Sequence, residues 1–345
     1  MKIIHLADVH FNKIYKGTVP LDIIEKISFD IWENFTKVCK YVKDENIDMV
    51  LIAGDLFERE YFTLSSMNRL MTLLTEIKVP VLIVCGNHDF LDDNSIYKSV
   101  KLPDNIFLFP NKFSYVDIDS LKTRVFGISY DREYFKTDLP EPEIKEEYKN
   151  IFLVHGMVDE GNFLKISKDY AEKFDYVAMG HVHKRGKIFE NTYYSGSLEP
   201  LSFKEDGDHG FVLVDFDKNE ITFKNSQIKK FTNLNIDISP KMSPGEISSA
   251  ISEKLNERDL FRVNLTGTYG DIDYLLNYLE NSLDAFYFEI KNYLTEYIDF
   301  EEILKENKDN LLGSYISSFD LDNNLEKNAM ELGLKYLLED GYALK

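Results

Sequence analysis

The sequence lacks the features that would place it outside a cell or in a membrane. Only two residues are cysteine, Cys39 and Cys85. They form neither a disulfide framework nor a CxxC metal motif, so both are expected as buried thiols in a reducing compartment. No apolar run approaches the roughly 18 residues that a membrane span requires. The opening stretch "KIIHLAD" reads as a strand and carries no apolar core with a small-residue cleavage site. A soluble, cytoplasmic protein with no membrane partner is expected. Positive charge is scarce: 40 Lys and Arg stand against 60 Asp and Glu, a formal net charge of −20. That balance counts against a broadly basic nucleic-acid-binding surface. Bound divalent cations or a partner subunit can still supply local positive charge. There is no internal repeat and no low-complexity tract. With 44% apolar and 14% aromatic residues, the 345-residue chain can bury one large core and one or two smaller ones.

Short apolar runs dominate the first two-thirds. "KIIHLAD" (2–8), "DMVLIAGD" (48–55), "VPVLIVCGN" (79–87), "NIFLF" (105–109), "TRVFGIS" (123–129), "NIFLVHG" (150–156), "DYVAMGH" (175–181), "TYYSGS" (192–197), "GFVLVDF" (210–216) and "EITFKN" (220–225) all read as strands. Between the early ones lie helical patterns, with Ile31, Phe35, Val38, Cys39 and Val42 on one face and Leu64, Met67, Leu70, Met71 and Leu74 on another. Strand–helix alternation followed by hairpin-like strands predicts an α/β fold: a two-sheet β-sandwich flanked by helices, in four layers α/β/β/α. This domain is expected over 1–230. A β-α-β-α-β pattern then predicts a small α/β cap over 231–297, with a capping box at Ser243 and Glu246 and an N-cap at Asp271. Two amphipathic stretches predict a helical region over 298–345.

Five of the seven histidines lie in short motifs at the ends of apolar runs. In chain order these are Asp8 and His10 in "ADVH", Asp55 in "GDLF", Asn87, His88 and Asp89 in "GNHD", His155 in "LVHG", and His181 and His183 in "GHVH". Each piece alone fits a turn, since Gly, Asn and Asp are turn residues. Together, five strand ends carrying imidazole, carboxylate and amide groups predict one cleft. The period-2 pleat is expected to set Asp8 and His10 on one strand face, and likewise His181 and His183. A carboxylate such as Asp55 can bridge two ions through its two oxygens. Mixed nitrogen and oxygen ligands suit Mn²⁺, Fe²⁺ or Zn²⁺ better than Mg²⁺ or Ca²⁺. Two such ions clamp a phosphate and activate a water for in-line attack on phosphorus. His5, inside the first strand, is expected to be buried, and His209, in the polar turn "DGDHG", exposed.

These motifs and their order resemble the calcineurin-like metallophosphoesterase superfamily. The resemblance implies one ion on Asp8, His10, Asp55 and His183 and another on Asp55, Asn87, His155 and His181. It implies that His88 contacts the scissile phosphate and that Asp89 orients His88. Within the superfamily, "MKIIHLADVHF", "GDLF", "GNHDF" and the segment "YYSGSLEPLSFKEDGDHGFVLVDFD" (193–217) are similar to the SbcD nucleases, relatives of the Mre-eleven double-strand-break nuclease. That similarity implies a Mn²⁺-dependent 3′-to-5′ exonuclease on duplex ends and an endonuclease on single strands or hairpins, acting in DNA repair. It implies a coiled-coil ATPase partner of the SbcC (Rad-fifty) type docked on the C-terminal region. It also implies a homodimer, for which the stretches 62–76 and 89–100 are candidate helices. Many nucleases of this type carry a second histidine three residues after the bridging Asp; here that position is Glu58. Lys13, Lys16, Arg59, Lys184, Arg185 and Lys187 lie near the metal motifs and are candidates for a DNA-contacting rim. The alternatives are a small-molecule phosphodiesterase or phosphatase of the same superfamily, and a catalytically weak scaffold, against which the complete ligand set argues.

Overall fold

The structure, a computed structural model, describes residues 1–13, 19–320, 323, 325, 326, 329, 330 and 332–334. Lys16 and much of the segment after 320 lie outside the described residues. By internal packing the chain divides into two compact units, Met1–Asn233 with Arg258–Leu260, and Leu234–Glu257 with the described residues of Phe261–Lys345. No described helix is long and apolar enough to cross a membrane.

The first unit runs β1 (Lys2–Leu6), α1 (Leu21–Asp44), β2 (Met49–Ala53), α2 (Leu64–Glu76), β3 (Val81–Val84), β4 (Ile106–Leu108), β5 (Ser114–Ile118), β6 (Thr123–Ile128), β7 (Lys149–His155), α3 (Lys168–Ala171), β8 (Tyr176–Gly180), β9 (Gly186–Phe189), β10 (Thr192–Tyr194), β11 (Gly210–Asp215) and β12 (Glu220–Asn225). Two six-stranded sheets result, ordered β12-β11-β1-β2-β3-β4 and β5-β6-β7-β8-β10-β9. In the first, β1 to β4 are parallel and β11 is antiparallel to β1. In the second, β6, β7, β8 and β10 are parallel, with antiparallel β5 and β9 at the edges. This is the expected mixed α/β architecture, two sheets flanked by helices.

Alternation along the strands builds the layers. Ile151 and Leu153 of β7, with Tyr176 and Ala178 of β8, share one core with Ile3, Leu51, Ala53 and Leu82 of the first sheet. Their neighbours Phe152, Val154, Val177 and Met179 face the other way, into a second core with Ala171 of α3 and Phe174. Both sheets are therefore apolar on two faces, which is why their strands read as continuous apolar runs. His5 stitches the sandwich. The Tyr176 hydroxyl lies 2.9 Å from its Nδ1 and its Nε2 lies 3.1 Å from the Met179 carbonyl. Burial pushes its pKa down to about 3, so the ring is neutral.

Helix α1 buries the predicted face, Ile31, Phe35, Val38, Cys39 and Val42. In α2 the predicted face is buried except for Leu64, which stands 51% exposed in the first turn. The stretch 89–100 is not an α-helix; within it only Ile96–Ser99 forms a 3₁₀ turn. Strands β5 and β9 were not expected, because their edge positions leave them polar and only half-buried.

The second unit carries β13 (Phe231–Ile238), which starts in the first unit, then α4 (Pro244–Ser252), β14 (Leu260–Tyr269), α5 (Ile272–Ser282), β15 (Tyr287–Asn292), β16 (Thr295–Glu296), α6 (Phe300–Glu306) and α7 (Leu311–Ile316). The order β13-β14-β15, with β16 beside β14, makes a third sheet. Ser243 and Glu246 form the reciprocal capping box, and Asp271 caps α5 by accepting from the Tyr274 N–H. Ile236, Ile247, Ile251, Val263, Leu275 and Leu279 form this unit's own core.

Candidate metal centre

Parallel strands all point the same way, so their carboxyl ends gather at one edge. Here β1, β2 and β3 from one sheet and β7 and β8 from the other deliver Asp8 and His10, Asp55, Asn87 and His88, His155, and His181 and His183. The route is not the pleat expected from the sequence. Asp8, His10 and Asp55 hold φ of 51°, 49° and 50°, and His181 holds 102°. Each chain leaves its strand through the left-handed region, which non-glycine residues adopt at a cost and which clusters at functional sites. The loops lock together through the Asp8 N–H to the Gly54 carbonyl (3.1 Å) and the His10 N–H to the Asp55 carbonyl (3.1 Å). Two glycines make the approach possible. Gly54 has φ of +89°, and a Cβ on Gly86 would stand 2.3 Å from the Asp55 Oδ1.

The side chains form two donor sets that meet at Asp55. In the first, His10 directs Nδ1 at Glu58 (2.9 Å) and His183 directs Nδ1 at Glu205 (3.2 Å). Each carboxylate fixes the proton on Nδ1 and leaves Nε2 a lone pair. Those two Nε2 atoms face each other at 3.2 Å, and the His10 Nε2 lies 3.7 Å from the Asp55 Oδ2. In the second set, His155 donates Nδ1–H to the Ala53 carbonyl (2.9 Å). Its Nε2 then faces the Asn87 Oδ1 at 3.0 Å and the Asp55 Oδ2 at 3.5 Å, while the His181 Nδ1 lies 3.2 Å from the same Asn87 oxygen. Asp8, fully buried, accepts the His181 N–H on both oxygens.

Imidazole nitrogens and carboxylate and amide oxygens converge here; burial would lower the His183 pKa, but the Glu205 bond and the Asp8 charge raise it to about 8, so its ring binds a proton where a cation would take its place. Among the described residues, three overlapping groups are able to hold an ion: Asp8, His10 and His183; His10, Asp55 and His88; and Asp8, Asp55 and His155. The donor sets therefore fit divalent cations, which Asp8, His10, Asp55, Asn87, His155, His181 and His183 would hold. Burial holds the His10 imidazole below its ordinary pKa and takes His181 down to about 4, which keeps both rings neutral, as ligands must be. Burial would raise the Asp55 carboxyl, but the neighbouring imidazoles of His155, His10 and His88 and the bond from the His88 backbone N–H outweigh it and hold the group below the usual range.

Beside the first donor set stands His88, its ring packed edge-on against His10 with centroids 4.7 Å apart. Its Nδ1 lies 2.8 Å from the Glu58 Oε2, so Glu58 grips His10 and His88 at once. Burial would lower the His88 pKa, yet the Glu58 bond and the Asp55 and Glu58 charges raise it above the ordinary value. The orienting role expected of Asp89 thus belongs to Glu58. Asp89 instead accepts the backbone N–H groups of Gly86 (2.7 Å), Asp55 (3.1 Å) and Leu56 (3.1 Å), tying the β2 and β3 loops together.

Two positioning residues carry little signal in the sequence. Glu58 stands out only by its spacing from Asp55, and Glu205 lies in an unremarkable polar loop. His209 is a further correction, being buried rather than exposed. Its Nδ1 lies 2.9 Å from the Ser197 hydroxyl, and its N–H donates to the Gln227 side chain. Asp206, Gly207 and Asp208 of that turn are exposed as expected, and His209 turns inward. The candidate DNA-contacting cations are mostly engaged. Lys13 pairs with Glu58, Arg59 with Asp92, Arg185 with Asp208 and Lys187 with Glu190. Lys184 is exposed.

Residues 1–185 match the calcineurin-like phosphoesterase family. The chain is 25% identical over 249 residues to the uncharacterized metallophosphoesterase YhaO of Bacillus subtilis (strain 168), covering 64% of this chain and 59% of that protein. It thus spans less than two-thirds of that relative's length. A solved structure, described as that of a novel archaeal phosphodiesterase, is 16% identical with a TM-score of 0.35, covering 64% of this chain and 98% of its own.

Proposed function

This chain belongs to the calcineurin-like phosphoesterase family, and from that premise we propose that it hydrolyses phosphodiester bonds of DNA in the manner of the SbcD nucleases. The observation that carries the reading is the pair of donor sets sharing Asp55, with His88 held beside them by Glu58. The expected ions are two Mn²⁺, which when bound supply Lewis-acid charge to the phosphate and an activated water.

The protein's own groups do the rest. Glu58 keeps one proton on the His88 Nδ1 and raises the proton affinity of the ring. His88 then carries a proton on Nε2 to the departing oxygen, as a general acid. Asp89 holds the loop that presents Asn87 and His88, and Gly86 leaves room for Asp55. In this reading the C-terminal unit faces DNA and docks a coiled-coil ATPase of the SbcC type, and the protein acts as a homodimer, cutting duplex ends 3′ to 5′ and opening hairpins and single strands.

A second reading, hydrolysis of a small phosphodiester, is favoured by the charge pattern. The cations nearest the site are paired with carboxylates, and the chain carries a net charge of −20. The test is cleavage of end-labelled linear duplex and hairpin DNA with Mn²⁺, beside EDTA and His88→Ala controls. Metal-dependent cleavage that drops about 10²- to 10⁴-fold in the variant supports the nuclease. Intact DNA together with rapid, His88-dependent hydrolysis of a small phosphodiester establishes the second reading.

A further inference from the structure

A cavity of about 400 Å³ is lined by Arg132, Tyr134, Phe135, Lys136 and Asn162. That is the size of a small-ligand site, with room for one nucleoside. Two chains of aromatic rings join its walls to the metal centre. Phe135 packs on Tyr130 with centroids 4.9 Å apart, and Tyr130 meets the His155 ring perpendicularly at 5.4 Å. Tyr134 packs on Phe163 at 5.8 Å, and Phe163 covers the His181 ring at 4.3 Å. His155 and His181 are the imidazoles of the second donor set, so each wall of the cavity stands one ring behind a proposed ligand.

The chemistry of the lining selects the occupant. Tyr134 is 57% exposed, a large ring held in water and supported by Phe163, which itself packs on His181. An exposed ring on a supporting ring is a platform on which a planar base stacks. The Asn162 amide offers a donor and an acceptor, the pair that a base edge presents. Arg132 is less suited to a phosphate, because Asp131 accepts from its guanidinium at 2.7 and 3.1 Å and offsets its charge. Glu133 beside Tyr134 further limits the positive potential, whereas Glu160 is bound to Lys165.

We propose that this cavity seats an unstacked nucleobase flanking the scissile phosphodiester. The proposal rests on the reading of the metal centre as a phosphodiesterase, and adds the substrate class. A base can enter only when it has left its stack. The preferred substrates are therefore single strands, frayed ends or dinucleotides, ahead of blunt duplex.

The test compares wild type, Tyr134→Ala and Tyr134→Phe on two esters with the same leaving group, thymidine 5′-(p-nitrophenyl phosphate) and methyl p-nitrophenyl phosphate. Tyr134→Ala is expected to raise KM for the thymidine ester roughly 5- to 150-fold, the range for losing one stacked base, and to leave the methyl ester unchanged. Tyr134→Phe is expected to behave as wild type. Equal effects on the two esters, or none on either, overturn the proposal. A binding arm in EDTA, by anisotropy, uses labelled oligothymidylate against the same backbone without bases. Wild type is expected to prefer the strand with bases and Tyr134→Ala to lose the preference; no preference in wild type sinks the proposal. Competition by pTpT identifies the source: equal potency points to a free dinucleotide, weaker potency to a nucleic-acid strand, and either keeps the base in the cavity. If wild type hydrolyses neither ester, the phosphodiesterase reading fails while the binding arm still decides the cavity.

Discussion

Glu58 accepts from two imidazoles, one that holds an ion and one that handles a proton. Replacing it with glutamine keeps the shape and removes the charge that holds a second proton on His88. Glu58→Gln is expected to lower kcat at least tenfold with little change in KM, the pattern of a group that matters at the transition state. Steady-state kinetics on a small phosphodiester would show it. Glu205 acts on one side only. It orients His183 and accepts from the Leu201 N–H and the Ser202 hydroxyl. Partners of this kind are worth about 10- to 100-fold in metal affinity. Titration calorimetry with Mn²⁺ should find that loss in Glu205→Gln, while the far-ultraviolet dichroism stays that of wild type.

The working parts of the elements are the strand exits. An apolar run marks a strand, and a change to Gly, Asp, Asn or His marks where it opens to the cleft, so all seven proposed ligands were legible as a set. The left-handed turns at Asp8, His10, Asp55 and His181 were not, because residue type alone does not announce positive φ at a non-glycine position. Glu205 and His209 escaped for a related reason. They sit in a loop, where no periodicity says which side faces in. Strands β5 and β9 escaped because an edge strand half-open to solvent lacks the apolar run. Gly86 tests the tightness of these exits. A Cβ there would press on Asp55 at 2.3 Å and on the His155 ring at 2.8 Å. Gly86→Ala should therefore lose ion affinity tenfold or more, read by calorimetry, while urea unfolding stays cooperative.

Across the whole first unit, His5 ties one sheet to the other as a neutral ring with its pKa lowered to about 3. The unfolded chain binds a proton there near pH 6.5, and the folded chain does not until far lower pH. The stability linked to His5 is thus fully present above about pH 6.5 and is lost as pH falls from there toward about 3. By pH 5 the loss is about 2 kcal/mol. His5→Phe removes the titration but strands the Tyr176 hydroxyl and the Met179 carbonyl, costing about 1–3 kcal/mol at neutral pH. Urea unfolding at pH 7.5 and pH 5 should show the variant weaker at the first pH and less acid-sensitive between the two.

The metal centre draws its groups from nearly the whole length of this unit: Asp8 meets the His181 backbone across 173 positions of chain. A growing polypeptide that has just left the ribosome therefore holds Asp8 and His10 long before their partners exist. Closing so long a loop costs entropy that only the finished sandwich repays. Ion capture belongs at the end of folding, after both sheets have formed, and dissociating the ions is among the first steps of unraveling. Divalent ions should leave the refolding rate of the chain nearly unchanged and slow its unfolding, so their presence sets how long a completed molecule lasts rather than how quickly one is made.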